Sequence, residues 1–498
     1  MNWQQLSTLV LLTFWTVAPP PKVPKISLQS PGPVQSEIEC GCEDNPTMDI
    51  LAIVNGAKIR RDDLSVDTRS KIRLLQDSLL EARNRELDKV IAATLLEAAA
   101  KSRGLTSRKL LQIEVTGKVV PPTDEEAEQF YKQNRKSIGK DFKDAKPGIL
   151  AAMRTEREVQ EAQKFANALR VAANVKILVE RITPPANELE RKRIVATVNG
   201  FPITSGDIED GLAPLIYQVK LQTYRFRKTE LDLKINDMLL DQEAKRQGVT
   251  PLALVSREVS GKLPIITDQQ LFAFYNENRA QFGEEFSKVK LQIVQYLLTQ
   301  EQQRLANSYA EQLRSRAAIQ IFLRPPSEPS YKISIENQPS LGSDDAAVTV
   351  VEFTDFESPA CAVVFPILKQ LIAEFGAQVR FVVRDFPQQY KDSVRAAEAA
   401  EAAFQQGRYW EYVAMLYQNS GGGFELDRLK KFASATGLDR KKFDEELDSG
   451  IWNDQVQMDI ADANKIGVIQ APAFFVNGRR TNGNSYGALK SAIQKALQ

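Results

Sequence analysis

Residues 348–366 read Val-Thr-Val-Val-Glu-Phe-Thr-Asp-Phe-Glu-Ser-Pro-Ala-Cys-Ala-Val-Val-Phe-Pro. The first part, Val348 to Phe353, is rich in β-branched residues and predicts a short buried strand. The second part turns through Glu357-Ser358-Pro359 and then predicts a helix that begins near Ala360. The stretch therefore predicts a strand, a tight turn and a helix with Cys361 in its first turn.

The turn resembles the redox loop of DsbA-like thioredoxin-fold proteins, because Phe-Thr-Asp-Phe is followed by Ser358, Pro359, Ala360 and Cys361. Those proteins carry Cys-x-x-Cys, and the helix N-terminus stabilises the first cysteine as a reactive thiolate. Ser358 occupies that position here, and a hydroxyl cannot form a mixed disulfide. Cys361 occupies the position of the resolving cysteine. The resemblance therefore implies an oxidoreductase scaffold that lacks its nucleophile, with Pro359 and Ala360 beside a bound peptide.

A second motif, Gln470-Ala471-Pro472-Ala473-Phe474, matches the place where this family has a cis proline facing the redox loop. The resemblance implies a cis bond before Pro472, which is uncommon and usually has a structural role. It also implies that the backbone at Ala471 and Pro472 pairs with an extended peptide. The alternative is an ordinary trans proline at the start of a strand.

The amino-acid composition argues against several classes of catalytic, metal and nucleic-acid-binding site. The chain has no histidine, so Ser-His and Cys-His catalytic pairs are excluded and metal sites lose their commonest ligand. Its 65 basic and 64 acidic residues nearly cancel, which gives no reason to expect a nucleic-acid partner. Three cysteines are too few for a four-cysteine zinc site. We expect no metal and no cofactor.

The N-terminal region predicts export. Residues 1–18 contain an apolar core of signal-peptide length and stop at Pro19-Pro20-Pro21, although no basic residue precedes the core. Residues 19–49 are rich in Pro, Ser and Gly and predict a flexible tether. Cys40 and Cys42 in this tether are either incidental thiols or a strained, oxidising pair. No other stretch predicts an integral membrane segment.

Two long segments repeat each other at a constant offset of 144 residues, as from Val54 to Val198. Both copies open with Val-Asn-Gly, and both carry Thr-Asp before a helix that contains Phe-Tyr and Asn-Arg. Thr123 and Thr267 begin predicted capping boxes, because Glu126 and Gln270 follow three residues later. The constant register predicts a tandem duplication of one module, over residues 50–185 and 194–329.

These repeats resemble the N-terminal helical domain of SurA-type and PrsA-type periplasmic chaperones. The likeness rests on the order of the Val-Asn-Gly opening, the Gly-Leu-Thr or Gly-Val-Thr step after the long helix, and Thr-Asp-x-x-x-x-x-Phe-Tyr-x-x-Asn-Arg. No parvulin-type isomerase segment interrupts the helices, so isomerase activity is not implied. The resemblance implies surfaces that accept unfolded or extended client polypeptides.

The predicted fold class is a multidomain protein with two mainly α SurA-N-like units followed by an α/β thioredoxin fold. The thioredoxin fold is expected over residues 331–498, with a helical insertion at about 392–465. The leading hypothesis is a protein-folding factor of the bacterial periplasm, or a secreted one, that binds clients without dithiol exchange. The alternative is an atypical thiol-disulfide oxidoreductase that uses Cys361, with or without Cys40 and Cys42, and a thiol-disulfide partner protein. A purely structural envelope protein also stays open, and the sequence does not decide whether the chain is an enzyme.

Overall fold

The computed structural model describes residues 49–387 and 390–498. The predicted signal peptide and the predicted tether up to residue 48 lie outside the described residues, and so do Cys40 and Cys42. The described chain is mainly helical up to residue 315, and a five-stranded sheet with surrounding helices forms its C-terminal part.

The first repeat opens with a β-hairpin and continues with four helices and a short strand. Its elements are β1 (Ile50–Val54), β2 (Ala57–Arg60), α1 (Val66–Ser102), α2 (Ser107–Glu114), α3 (Asp124–Ile138), α4 (Phe142–Ala172) and β3 (Val175–Ile177). The second repeat follows a short helix, α5 (Glu188–Arg191). Its elements are β4 (Ile194–Val198), β5 (Phe201–Thr204), α6 (Ser205–Gln247), α7 (Pro251–Glu258), α8 (Asp268–Glu277), α9 (Arg279–Phe282), α10 (Phe286–Ser315) and β6 (Ile319–Ile321). It keeps the same order except that two helices, α8 and α9, correspond to α3.

Both predicted capping boxes are present. Thr123 accepts a hydrogen bond from the backbone of Glu126, whose carboxylate accepts one from the Thr123 N–H in return. Thr267 and Gln270 form the same reciprocal pair at the start of α8. The pairs satisfy backbone N–H groups that have no partner within the first helical turn.

A tyrosine closes the following turn in the same way in both repeats. The Tyr131 hydroxyl donates to the carbonyl oxygen of Lys140 at 2.8 Å, and the Tyr275 hydroxyl donates to that of Glu284, also at 2.8 Å. Donors and acceptors are each separated by the 144-residue offset of the sequence. Equivalent residues in the two repeats therefore make equivalent contacts.

Strand pairing, however, does not follow the repeat boundaries. One three-stranded sheet has the order β2-β1-β6, so the first hairpin pairs with the strand that ends the second repeat. The other has the order β3-β4-β5, so the second hairpin pairs with the strand that ends the first repeat. Each hairpin thus completes its sheet with the terminal strand of the other repeat.

The two Asn-Gly turns anchor these pairings. Asn55 and Asn199 both have positive φ, at 49° and 51°, which asparagine tolerates better than most residues. The Asn55 side chain accepts from the Ala318 N–H at 2.9 Å, and the Asn55 N–H donates to the Ala318 carbonyl. Asn199 makes the same two contacts with Asn174. Each asparagine therefore links its hairpin to the chain immediately before the incoming strand.

Within the described residues, the chain divides into two compact units. One consists of residues 49–78 and 218–326, and its core packs the first hairpin, including Leu51 and Val54, against Leu231, Ile235 and Leu313. The other combines residues 79–217 with 327–498. The predicted boundaries 50–185 and 194–329 describe the sequence repeat, and their SurA-like character stays a prediction.

The C-terminal part contains a mixed five-stranded sheet of order β11-β10-β8-β9-β7, in which β8 and β9 are parallel. Five helices between β9 and β10 occupy the predicted insertion. The elements are β7 (Ser340–Leu341), β8 (Val348–Thr354), α11 (Pro359–Phe375), β9 (Val379–Asp385), α12 (Ser393–Gln405), α13 (Tyr409–Gln418), α14 (Leu426–Ala435), α15 (Arg440–Ser449), α16 (Asn453–Lys465), β10 (Ala473–Val476), β11 (Arg479–Arg480) and α17 (Tyr486–Leu497).

One helix of this domain is long and apolar enough to cross a membrane by length and composition alone. It covers Pro359–Gln378, that is, α11 with its C-terminal 3₁₀ turn. Its apolarity has a local explanation, because Val364, Leu368 and Leu371 pack into the core beside the sheet. The expectation that no integral membrane segment follows the N-terminal region therefore stays a prediction.

The exchanged strand pairing predicts a reciprocal effect of two matched substitutions. Asn55→Ala removes the acceptor for the Ala318 N–H and places alanine at a positive φ, at a cost of about 1–3 kcal/mol. We expect faster amide hydrogen exchange at 318–321 but not at 174–177. Asn199→Ala should do the reverse. For Asn55→Ala, protection lost at 174–177 and kept at 318–321 would contradict the exchange.

Candidate functional site

The predicted redox loop lies where β8 ends and α11 begins. Ser358 is the N-cap residue of α11 and Pro359 is its first residue, a position that suits proline because no N–H partner is needed there. Ser358 is buried, at 7% exposure, whereas Pro359 and Ala360 are exposed. Cys361 is fully buried. The solvent-facing part of the loop is therefore Pro359-Ala360.

Cys361 is enclosed by the loop that precedes it. The Asp355 N–H donates to Cys361 Sγ at 3.5 Å, and the Cys361 N–H donates to the Ser358 carbonyl at 3.1 Å. Burial, together with the nearby carboxyl of Glu352, raises the pKa of the Cys361 thiol to about 12. Hydrogen bonds from Thr354, Asp355 and Ser358 oppose this pKa rise only in part. Cys361 is consequently a neutral thiol near pH 7, even though it lies in the first turn of a helix.

Ser358 has no means of becoming a nucleophile in this arrangement. Asp355, an acidic residue of the loop, accepts from the Ser393 hydroxyl at 2.7 Å and from the Glu357 N–H at 3.0 Å. A serine needs a positioned base to react near neutral pH. Ser358 instead contributes a hydrogen bond to Cys361. The side chains at the two predicted redox positions, Ser358 and Cys361, are therefore both neutral and are hydrogen-bonded to each other.

The predicted peptide-binding proline lies next to this loop in the sheet. The Ala471–Pro472 peptide bond is cis, as the resemblance implied. Ala473, the first residue of β10, pairs with Phe353 of β8, so Pro472 is adjacent to the end of the strand that carries the loop. Pro472 is buried and Ala471 is partly buried. The structure thus brings Ala471 and Pro472 to the same end of the sheet as Ser358.

Glu352 is a site residue that no sequence motif indicated. It lies in the middle of β8 and is only 4% exposed. Burial raises its pKa to about 8, and a hydrogen bond with Thr354 moderates the rise. The sequence feature that could have indicated it is that Glu352 is the single ionisable residue within the apolar run Val348–Phe353. Its charge acts on Cys361, so the two buried acids disfavour ionisation of one another.

A second group of buried acids joins the sheet to the helical insertion. Arg384 in β9 donates to Asp459 and to Asp462, each at 2.8 Å, and the Asp385 N–H donates to Asp459 at 2.9 Å. Burial, reinforced by neighbouring carboxylates, raises the pKa of Asp385 well above its usual range. Burial likewise raises the pKa of Glu401 to about 8. Among the described residues, no group of Cys, Asp and Glu side chains is arranged to hold a metal ion.

Because Glu352 and Glu401 are buried, we expect the free energy of unfolding to decrease as the pH rises. Glu352 and Glu401 ionise near pH 4.5 when unfolded but near pH 8 when folded, so the folded state binds their protons more tightly. The stabilisation that these two groups contribute should be complete below about pH 4.5. It should be lost progressively as the pH rises from there to about pH 8. Thermal melts of the chain without residues 1–18, followed by tryptophan fluorescence, report this domain, because two of the four tryptophans, Trp3 and Trp15, lie in the predicted signal peptide and the other two are Trp410 and Trp452.

Glu352→Gln should flatten part of this pH dependence, since glutamine does not titrate. Glu411→Gln, an exposed change in α13, is the matched control and should leave the slope unchanged. An unaltered slope in Glu352→Gln would contradict the proposed role of its buried carboxyl in the pH dependence.

Comparison with known proteins identifies the C-terminal part of the chain as thioredoxin-like. A family model described as Thioredoxin matches residues 334–495. The Bacillus cereus protein named "Probable disulfide bond formation protein D" is 34% identical over 175 residues, which make up 32% of this chain and 79% of that protein. The oxidised structure of BdbD from Bacillus subtilis shares 27% identity and a TM-score of 0.32, covering 34% of this chain and 99% of BdbD.

A second set of relatives consists of Na(+)/H(+) antiporters. The Na(+)/H(+) antiporter NhaA of Herminiimonas arsenicoxydans is 33% identical over 180 residues, which are 36% of this chain and 28% of the antiporter. The chain therefore spans less than a third of the length of that relative. The match to the Bacillus cereus protein, in contrast, covers most of that relative. Through its C-terminal domain, this chain therefore belongs to the thioredoxin family and is related to disulfide bond formation proteins.

Proposed function

We propose that this protein is an exported folding factor whose thioredoxin domain binds extended polypeptide without dithiol-disulfide exchange. The observation that carries the proposal is the state of Cys361, which is fully buried and whose pKa burial raises to about 12. Only about one thiol in ten thousand is ionised at pH 8 under those conditions, and the thiolate is the reactive form. The partner cysteine that would start an exchange reaction is replaced by Ser358.

The loop keeps features that suit peptide binding. Pro359 and Ala360 are exposed and small, and the backbone around Ala471 and Pro472 lies at the same end of the sheet. Backbone groups next to a strand end can pair with an extended peptide, while exposed apolar side chains add contact area. A domain that has lost its thiol nucleophile can therefore still hold a client segment at this place.

The helical units supply further candidate surfaces for clients. Large apolar side chains are unusually exposed in one unit, where Ile265 is 92%, Leu291 82% and Leu252 79% exposed. In the other, Val171 is 87% and Val120 70% exposed. Exposed apolar side chains can contact unfolded polypeptide, which presents apolar side chains without fixed structure. These side chains support the proposal that the helical units act as a holdase.

The proposed compartment is the bacterial periplasm or the exterior of the cell. Disulfide bonds form and persist in oxidising compartments, and the relatives of the C-terminal domain include a disulfide bond formation protein. The apolar N-terminal segment 1–18 agrees with export.

The second candidate function is an atypical thiol-disulfide oxidoreductase. The relationship to a disulfide bond formation protein favours it, because that family works through thiols. In this case Cys361 would react only when the loop opens, with Cys40 or Cys42 as a second thiol and a thiol-disulfide partner protein to regenerate it. The two functions make opposite predictions for the wild-type protein.

Insulin reduction separates the two functions. We expect wild type to be inactive and Ser358→Cys to gain activity by on the order of a thousandfold, because a cysteine at the helix N-cap is largely ionised near pH 7. Ser358→Ala controls for loss of the hydroxyl and should stay inactive. Turnover by wild type that survives Cys40→Ala with Cys42→Ala would establish Cys361 as reactive and reject the proposal.

Client binding is tested by suppression of aggregation of an unfolded protein. Leu291→Ser should raise the concentration of this protein needed for half-maximal suppression by about twofold to tenfold, because a bound segment loses apolar contact. Gln295→Ser, an exposed change one turn further along α10, is the matched control. No suppression by wild type, or equal effects of both substitutions, would argue against a client surface on this helix.

A further inference from the structure

A cavity of about 340 Å³ lies inside the thioredoxin domain. Its walls come from helix α11, strands β8 and β9, and helix α13 of the insertion. Leu368, Phe381 and Ala414 are representative of its lining, which is mainly apolar. The volume falls within the range of about 300–1,000 Å³ that is typical of small-molecule sites.

One buried polar group interrupts this apolar wall. Glu352 lines the cavity, and its Oε1 atom has no hydrogen-bond partner among the described residues. A buried polar atom without a partner is unfavourable by about 1–3 kcal/mol, so such atoms are rare. The hydrogen bond with Thr354 satisfies the carboxyl only in part. An occupant of the cavity with one hydrogen-bonding group would complete it.

The other ionisable groups lie at the exposed rim. Lys369 is exposed, with its Nζ 4.5 Å from the centroid of the Phe365 ring. Glu411 is exposed and pairs with Arg408 at 3.2 Å. The deep part of the cavity therefore presents apolar side chains and a single carboxyl. Because burial raises the pKa of Glu352 to about 8, this carboxyl is mostly neutral near pH 7.

A neutral carboxyl in an apolar wall selects for a neutral partner. A charged ligand would lose its hydration without a fixed opposite charge to replace it. A hydroxyl group on an apolar body can both donate to and accept from a carboxyl, and it carries no charge. We propose that this cavity binds a small, neutral, mainly apolar molecule with one hydroxyl group, and that the hydroxyl hydrogen-bonds to Glu352 Oε1. Such a site goes beyond the proposed binding of polypeptide.

The test compares 4-fluorophenol with fluorobenzene, which differ by the hydroxyl group, on the full-length chain by ¹⁹F NMR. We expect 4-fluorophenol to bind with a Kd of about 1 mM and fluorobenzene to bind about tenfold more weakly, as expected for one lost hydrogen bond. Equal affinities, or no binding of either compound to wild type, would overturn the proposal without any variant.

Variants then locate the site. Glu352→Leu should weaken 4-fluorophenol binding about tenfold and remove the difference between the two compounds, with Glu352→Met as a second variant if leucine impairs folding. Ala414→Leu fills the cavity from α13 and should abolish binding of both. Val363→Ala, at an exposed position of α11, is the control and should leave both affinities unchanged. Full 4-fluorophenol affinity in folded Ala414→Leu would place its binding elsewhere and reject the assignment.

Discussion

The enclosure of Cys361 is the constraint on which the character of this thioredoxin domain depends. The thiol lies in the first turn of α11, where the helix dipole favours a thiolate by about 0.3–2 kcal/mol. Burial acts in the opposite direction and raises its pKa from 9.0 to about 12, which corresponds to about 4 kcal/mol. Burial is the larger effect, so the thiol stays neutral. At Cys361, the helix N-terminus alone therefore does not offset the cost of burying a thiolate.

Burial in the same region also raises the pKa of Glu352, to about 8. The strand that carries Glu352 and the helix that carries Cys361 are consecutive in the chain and pack directly together, so neither acid can ionise without burying a charge beside the other. Glu352 also lines the cavity between α11 and α13. One carboxyl therefore connects the loop that binds peptide in the proposed function with a cavity that can hold a small molecule.

The helical part of the chain depends on a different constraint, the completion of two small sheets. A two-stranded hairpin has a free edge, and a third strand is needed for an independently stable sheet. Both hairpins and both terminal strands come from the same repeated sequence, so the asparagine turns offer identical hydrogen bonds to either terminal strand. The exchange joins the first hairpin to residues 319–321, far along the chain. The long helices α1 and α6 consequently each contribute residues to both compact units.

Local chemistry allowed much of this protein to be predicted from sequence. The strand-turn-helix at 348–366, the two capping boxes, and the helical insertion between β9 and β10 all arise from residues close together in the chain, where propensity and hydrogen bonding act directly. The cis bond before Pro472 followed from a family resemblance. The sequence also determined that no histidine is present and that a serine, Ser358, stands where the family resemblance implies the nucleophilic cysteine, however the chain folds. Tertiary structure alone decided which terminal strand completes each hairpin, because similar repeats give similar local preferences. It also decided the burial of Cys361 and the role of Glu352, because desolvation depends on neighbours brought in by distant segments such as α13 and not on residue type.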